Sequence, residues 1–109
     1  MSITILTKDN FESEVKKSQI PVLIDFFASW CGHCKMLAPV IDMIANEVDN
    51  VKICKLDIDK ESDIAKSFQI DVVPTLVLIK NNKVINSSVG VLKKEKIIDM
   101  LKDATASAK

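Results

Sequence analysis

Two cysteines, Cys31 and Cys34, stand three positions apart in the run Trp30-Cys31-Gly32-His33-Cys34-Lys35. That spacing suits more than one chemistry. Across the start of a helix it brings two sulfurs close enough to bond, so the pair can cycle between dithiol and disulfide. The same spacing supplies half of a tetrahedral zinc site. Zinc would need further ligands, and the only spare thiol and imidazole are Cys54 and His33. His33 lies between the pair, where its ring is poorly placed to complete a tetrahedron. Inert buried cysteines are the third reading, and Gly32 and His33 at a strand-to-helix junction argue against it. A helix N-terminus carries unpaired N–H groups and partial positive charge. Both favour a thiolate at Cys31, the attacking species in disulfide exchange. Cys34, one turn further in, is expected to be more shielded and placed to attack a mixed disulfide.

The flanking pattern indicates which elements hold this pair. Val22-Leu23-Ile24-Asp25-Phe26-Phe27-Ala28 is a near-continuous apolar run, as in a central strand covered on both faces. From Gly32 to about Val48 the apolar residues Met36, Leu37, Val40, Ile41, Ile44 and Val48 recur at helical spacing. Pro39 lies inside that helix and is expected to kink it. Ile3 to Leu6 and Val51 to Leu56 read as strands. Lys8 to Lys17 reads as a helix with Thr7 or Asp9 near its N-cap. Ser62 to Phe68 makes a short helix. Thr75 to Ile79 and Val84 to Val89 read as a hairpin, because Asn81-Asn82 between them tolerates the left-handed backbone of a tight turn. Lys93 to about Lys102 closes the chain as an amphipathic helix. The order βαβαβαββα predicts an α/β fold, a mixed sheet of about five strands flanked by four helices, in one domain over residues 1–109.

Within the apolar run, Asp25 is the one acid. An unpaired buried carboxylate is costly, so it must be protonated, find a partner, or reach the strand edge and solvent. Cys54, on an inner strand, reads as a small core residue. Composition excludes several functions. Fifteen basic residues, all lysine, balance fifteen acidic ones. A neutral chain without arginine has no electrostatic case for nucleic acid or an anionic membrane surface. No segment approaches the roughly 18 apolar residues of a membrane span. The start, Met1-Ser2-Ile3-Thr4-Ile5-Leu6, has no basic region or cleavage site of a signal peptide. The expectation is a cytoplasmic protein, in which cysteines are catalytic or metal-binding more often than structural.

Taken together, these stretches resemble the thioredoxin family from about Ile5 to Leu101. The run Asp25 to Lys35 resembles the family's active-site segment. Pro39 falls at the kink of its long helix, and Lys55-Leu56-Asp57-Ile58-Asp59 resembles the strand end that follows. Val73-Pro74-Thr75 resembles its cis-proline loop, and Val89-Gly90 the glycine beside its substrate groove. The resemblance implies a thioredoxin fold and a protein-disulfide reductase with Cys31 as nucleophile and Cys34 as resolving thiol. It implies that Asp25 lies below the pair and moves the Cys34 proton, with Lys55 close by to tune it. Trp30, Val73, Pro74 and Gly90 would line the surface that holds an extended substrate segment, with the Val73 backbone exposed for pairing. Disulfide-containing proteins would be the substrates, and a flavin-dependent thioredoxin reductase the regenerating partner. No cofactor or metal is implied, and a monomer is the default.

Two departures from the family pattern stand out. His33 takes the place of a usual proline, and Gly-His is more typical of protein disulfide isomerases. A histidine that stabilises the Cys31 thiolate makes the disulfide more oxidising. Trp30, Gly32, His33 and Lys35 are the motif positions expected to tune the pair. Phe27 replaces a frequent tryptophan, a change expected to keep packing and leave the chemistry alone. A disulfide oxidant or isomerase, and a redox-independent binding module, are the alternative functions.

Overall fold

In the computed structural model, which describes residues 2–106, the apolar run from Val22 forms the middle of a five-stranded sheet. The elements are β1 (Thr4–Ile5), a π-helical turn (Glu12–Lys16), β2 (Val22–Phe27), α1 (Gly32–Glu47), β3 (Lys52–Asp57), α2 (Ser62–Ser67), β4 (Thr75–Lys80), β5 (Lys83–Val89) and α3 (Lys94–Ala106). The strand order is β1-β3-β2-β4-β5. β3 runs parallel to both β1 and β2, while β4 is antiparallel to β2 and β5. The expected mixed α/β sheet and its antiparallel hairpin are both present. Residues 1 and 107–109 of the expected domain lie outside the described residues.

β2 is buried on both faces because helices cover both. Side chains alternate along a strand. Leu23 therefore packs with Leu37, Ile41 and Ile44 of α1 and Ile97 and Leu101 of α3. Ile24 and Phe26 pack the other way, with Val15 of the π-helical turn, Cys54 of β3 and Ala65 of α2. Phe68 lies against Phe26 at 5.4 Å and Phe11 at 5.9 Å between ring centroids, and this aromatic group seals the second face. Register places Asp25 between Lys55 of β3 and Leu76 of β4.

Two elements differ from expectation. The first helix is confined to a π-helical turn, with the Lys17 N–H reaching back to the Glu12 carbonyl at 2.9 Å. Neither Thr7 nor Asp9 caps it: Phe11 is the N-cap, with no side-chain hydrogen bond, and Thr7 instead sets the preceding turn, its hydroxyl accepting from the Asp9 N–H at 3.2 Å and its carbonyl from the Phe11 N–H at 3.0 Å. α3 continues past Lys102 to Ala106. Ala104 extends the apolar stripe there, fully buried against the core. A small residue gives a weak periodic signal in sequence and still fills a close contact. At the hairpin, Asn81 and Asn82 have φ of 54° and 62°, which suits a two-residue turn between paired Lys80 and Lys83.

Candidate active site

The cysteine pair sits where β2 hands over to α1. Cys31 is the N-cap of α1, with φ −92° and ψ 114°. Its sulfur accepts the Cys34 N–H at 3.1 Å. That contact directs one of the unpaired helix N–H groups at the sulfur. The Cys31 thiol lies 3.7 Å from the Val73 carbonyl, to which it donates. Both residues are free thiols. The expected difference in shielding is slight, since Cys31 is 6% exposed and Cys34 5%. Burial, the hydrogen bond with Cys31, and the charges of Cys31 and Asp25 push the Cys34 thiol up to about 11, against a smaller lowering by a backbone hydrogen bond at Ala28. Pro39 stands inside α1 without ending it.

Asp25 does not reach solvent. It is 1% exposed, and neither carboxylate oxygen has a hydrogen-bond partner among the described residues. Burial pushes its pKa from the ordinary 3.8 to about 6, against a smaller lowering by the Lys55 charge. Lys55 is its strand neighbour, but the ammonium rests over the Phe27 ring at 4.8 Å from the centroid. A cavity of about 160 Å³, lined in part by Phe27, Cys34, Lys35 and Lys55, opens beside them. It is large enough to admit water.

The surface around Cys31 is apolar and open. Trp30 is 68% exposed and still anchored, with its indole N–H donating to Asp59 at 2.9 Å. The Val73-Pro74 bond is cis. Gly90, at φ +92°, donates its N–H to the Pro74 carbonyl at 2.8 Å, which ties the Val73-Pro74 and Val89-Gly90 segments together. A φ in that range suits glycine best. Val72 and Val89 are exposed beside them.

The profile of the thioredoxin family matches residues 2–103. The chain belongs to the thioredoxin family. It is 44% identical over 93 residues to a thioredoxin of Haemophilus influenzae, covering 84% of this chain and 87% of that one. It is 40% identical over 100 residues to a thioredoxin of Pseudomonas aeruginosa, with 91% and 93% covered. A thioredoxin of Rickettsia felis is 39% identical over 97 residues, with 88% and 92% covered. Family membership and the adjacent sulfurs make this chain a protein-disulfide oxidoreductase that works by dithiol–disulfide exchange at Cys31 and Cys34.

Within this thioredoxin-family site, the fold gathers Asp25, Trp30, Cys31, Cys34, Lys55, Val73, Pro74 and Gly90 at one end of the sheet. Gly32, His33 and Lys35 are on the exposed side of the first turn of α1. Cys54 is on the opposite sheet face, 0% exposed, with its thiol pushed up to about 12 by burial. It does not join the pair. Sequence reasoning missed Asp59 as the partner of Trp30. A signal was available in Asp57-Ile58-Asp59, where the Asp57 carboxylate accepts the Asp59 N–H at 2.9 Å and sets the turn. Among the described residues no helix is long and apolar enough to cross a membrane.

Proposed function

We propose that this protein is a monomeric, single-domain cytoplasmic reductant of protein disulfides, returned to its dithiol by a flavin-dependent thioredoxin reductase. The observation that carries the reading is the Cys31 sulfur at the start of α1, receiving the Cys34 N–H and bordering the Val73 carbonyl. A Cys31 thiolate attacks one sulfur of a substrate disulfide, and the other sulfur leaves with the bonding pair and takes a proton. Cys34 then loses its proton to the Asp25 carboxylate and attacks the Cys31 sulfur of the mixed disulfide. The second substrate thiol leaves, and Cys31 and Cys34 are joined. Two electrons have passed from the pair to the substrate.

The environment of Cys34 supports a base in that second step. A thiol held near 11 is neutral at pH 7, and a buried carboxyl titrating near 6 is ionised there and ready to accept. Lys55 tunes that carboxyl by its charge. Trp30, Val73, Pro74 and Gly90 hold the extended substrate segment beside Cys31. Insulin reduction with dithiothreitol, run beside Cys31→Ser, tests the assignment. Fast turnover lost in the variant is expected, and turnover no faster than dithiothreitol alone overturns it.

The exposed Gly32-His33 pair favours one other reading, a disulfide oxidant or isomerase. Reference potentials are about −270 mV for thioredoxin and about −180 mV for protein disulfide isomerase. A value above the first is expected for this chain if His33 stabilises the Cys31 thiolate. A redox titration at or below it removes the isomerase reading.

A further inference from the structure

Lys55 has two groups in reach and has taken the less obvious one. Asp25 and Phe27 lie two positions apart on β2, so strand alternation puts both on the same face. Lys55 stands opposite Asp25 in β3. Its ammonium lies over the Phe27 ring at 4.8 Å, while the Asp25 oxygens have no hydrogen-bond partner among the described residues. Joining the carboxylate would draw the ammonium into a site that is 1% exposed, with a desolvation cost on both charges. The ring stabilises the cation through its negative face. The ammonium meanwhile stays beside the cavity that Lys55 and Phe27 line together with Cys34.

We propose that Phe27 is a positioning residue for proton transfer: its ring holds the Lys55 ammonium off Asp25, which leaves the carboxylate free to take the Cys34 proton. The proposal rests on the reading of Asp25 as that acceptor. The groups that face Asp25 are Lys55 from β3, Cys34 from α1, with Cys31 beyond it, and apolar Leu76 from β4; Lys35 shares the cavity wall. A lysine that closed onto Asp25 would favour its charged form and make it a poorer base. Held on the ring, the ammonium acts only at a distance. The step is balanced within the chain and its substrate. The S–H proton of Cys34 passes to Asp25, its electron pair forms the bond to Cys31, and the mixed-disulfide bond breaks toward the leaving thiol.

The test follows the Asp25 carboxyl by carbon NMR through a pH titration of the reduced, labelled protein. Phe27→Leu removes the ring, and its Asp25 midpoint should fall by about one pH unit or more as Lys55 closes in. Phe27→Tyr keeps a ring and should hold the wild-type midpoint. Phe27→Leu should no longer move the midpoint once Lys55→Met is also present. A folded Phe27→Leu protein with an unmoved midpoint overturns the proposal, as does an equal shift in the Lys55→Met background. If Phe27→Leu does not fold, Phe27→Met carries the same comparison. An unchanged pH profile of insulin reduction in Asp25→Asn would instead remove the acceptor reading, and the titration cycle would still decide whether Phe27 holds Lys55.

Discussion

Ile24 and Asp25 are neighbours in β2 that meet Cys54 and Lys55 across the same strand pair, yet they belong to different worlds. On one sheet face, Cys54 is packed among Val15, Ile24, Phe26 and Ala65, and the charges of Lys52 and Glu14 reach it only as smaller effects beside its burial. On the other, Asp25 lies under the start of α1, close enough in charge to Cys34 to raise it. Both Asp25 and Cys54 are almost fully buried, and burial raises both pKa values. Burial alone therefore does not distinguish the two. What separates them is the neighbour: the Cys34 thiol for Asp25, a mainly apolar cluster for Cys54.

The sharpest way to break that comparison is to exchange the roles of the cysteines. Cys31→Ser should bring insulin reduction down to the dithiothreitol background, and Cys34→Ser should leave a stable mixed disulfide with substrate, visible by mass spectrometry. Cys54→Ala should reduce insulin within about twofold of wild type, since it touches neither the pair nor its proton path. Loss of activity in Cys54→Ala, with the fold intact, would erase the distinction between the faces.

A large effect is also expected on stability. The folded pKa of Asp25 is raised, so its contribution is fully present below 3.8 and is lost as pH rises through about 6. At pH 8 the buried carboxylate destabilises the fold by about 3 kcal/mol relative to pH 3.5. Denaturant unfolding of wild type and Asp25→Asn should therefore diverge by that amount between these two pH values, in favour of the variant at pH 8. A constant difference across the range would show that Asp25 is ionised without cost.

On the other face, Cys54→Ser places a hydroxyl in an apolar core and should cost about 2 kcal/mol in unfolding free energy while leaving turnover unchanged. The smallest effect concerns the cover of that face. α2 ends in a paired turn: the Ile70 N–H donates to the Ala65 carbonyl at 3.1 Å and the Gln69 N–H to Lys66 at 2.9 Å. Gln69 holds φ 57° there, where glycine is the usual residue. Gln69→Gly should stabilise by about 1 kcal/mol, and a lower midpoint in urea would count against that account of the turn.

Much of the site was legible because its signals are local. A cysteine pair after an apolar run and before a helical stripe says where the sulfurs sit, and Asn81-Asn82 marks the hairpin turn. The π-helical geometry at Glu12–Lys16 and the length of α3 were not legible, since Lys17 reaching Glu12 and Ala104 filling a gap depend on what packs against them. Asp59 as the anchor of Trp30 was missed for a related reason: the two are separated by the whole of α1 and β3.

By itself, the sequence determined the chemistry available: two thiols at a helix start, one acid in an apolar strand, and a period of two that sends Asp25 and Ile24 to opposite faces. Only the tertiary structure decided how the charges settle. Strand register put Lys55 beside Asp25, yet its ammonium lies over the Phe27 ring two residues on, and the carboxylate oxygens have no hydrogen-bond partner among the described residues; desolvating an ammonium is costly, and an aromatic face attracts one.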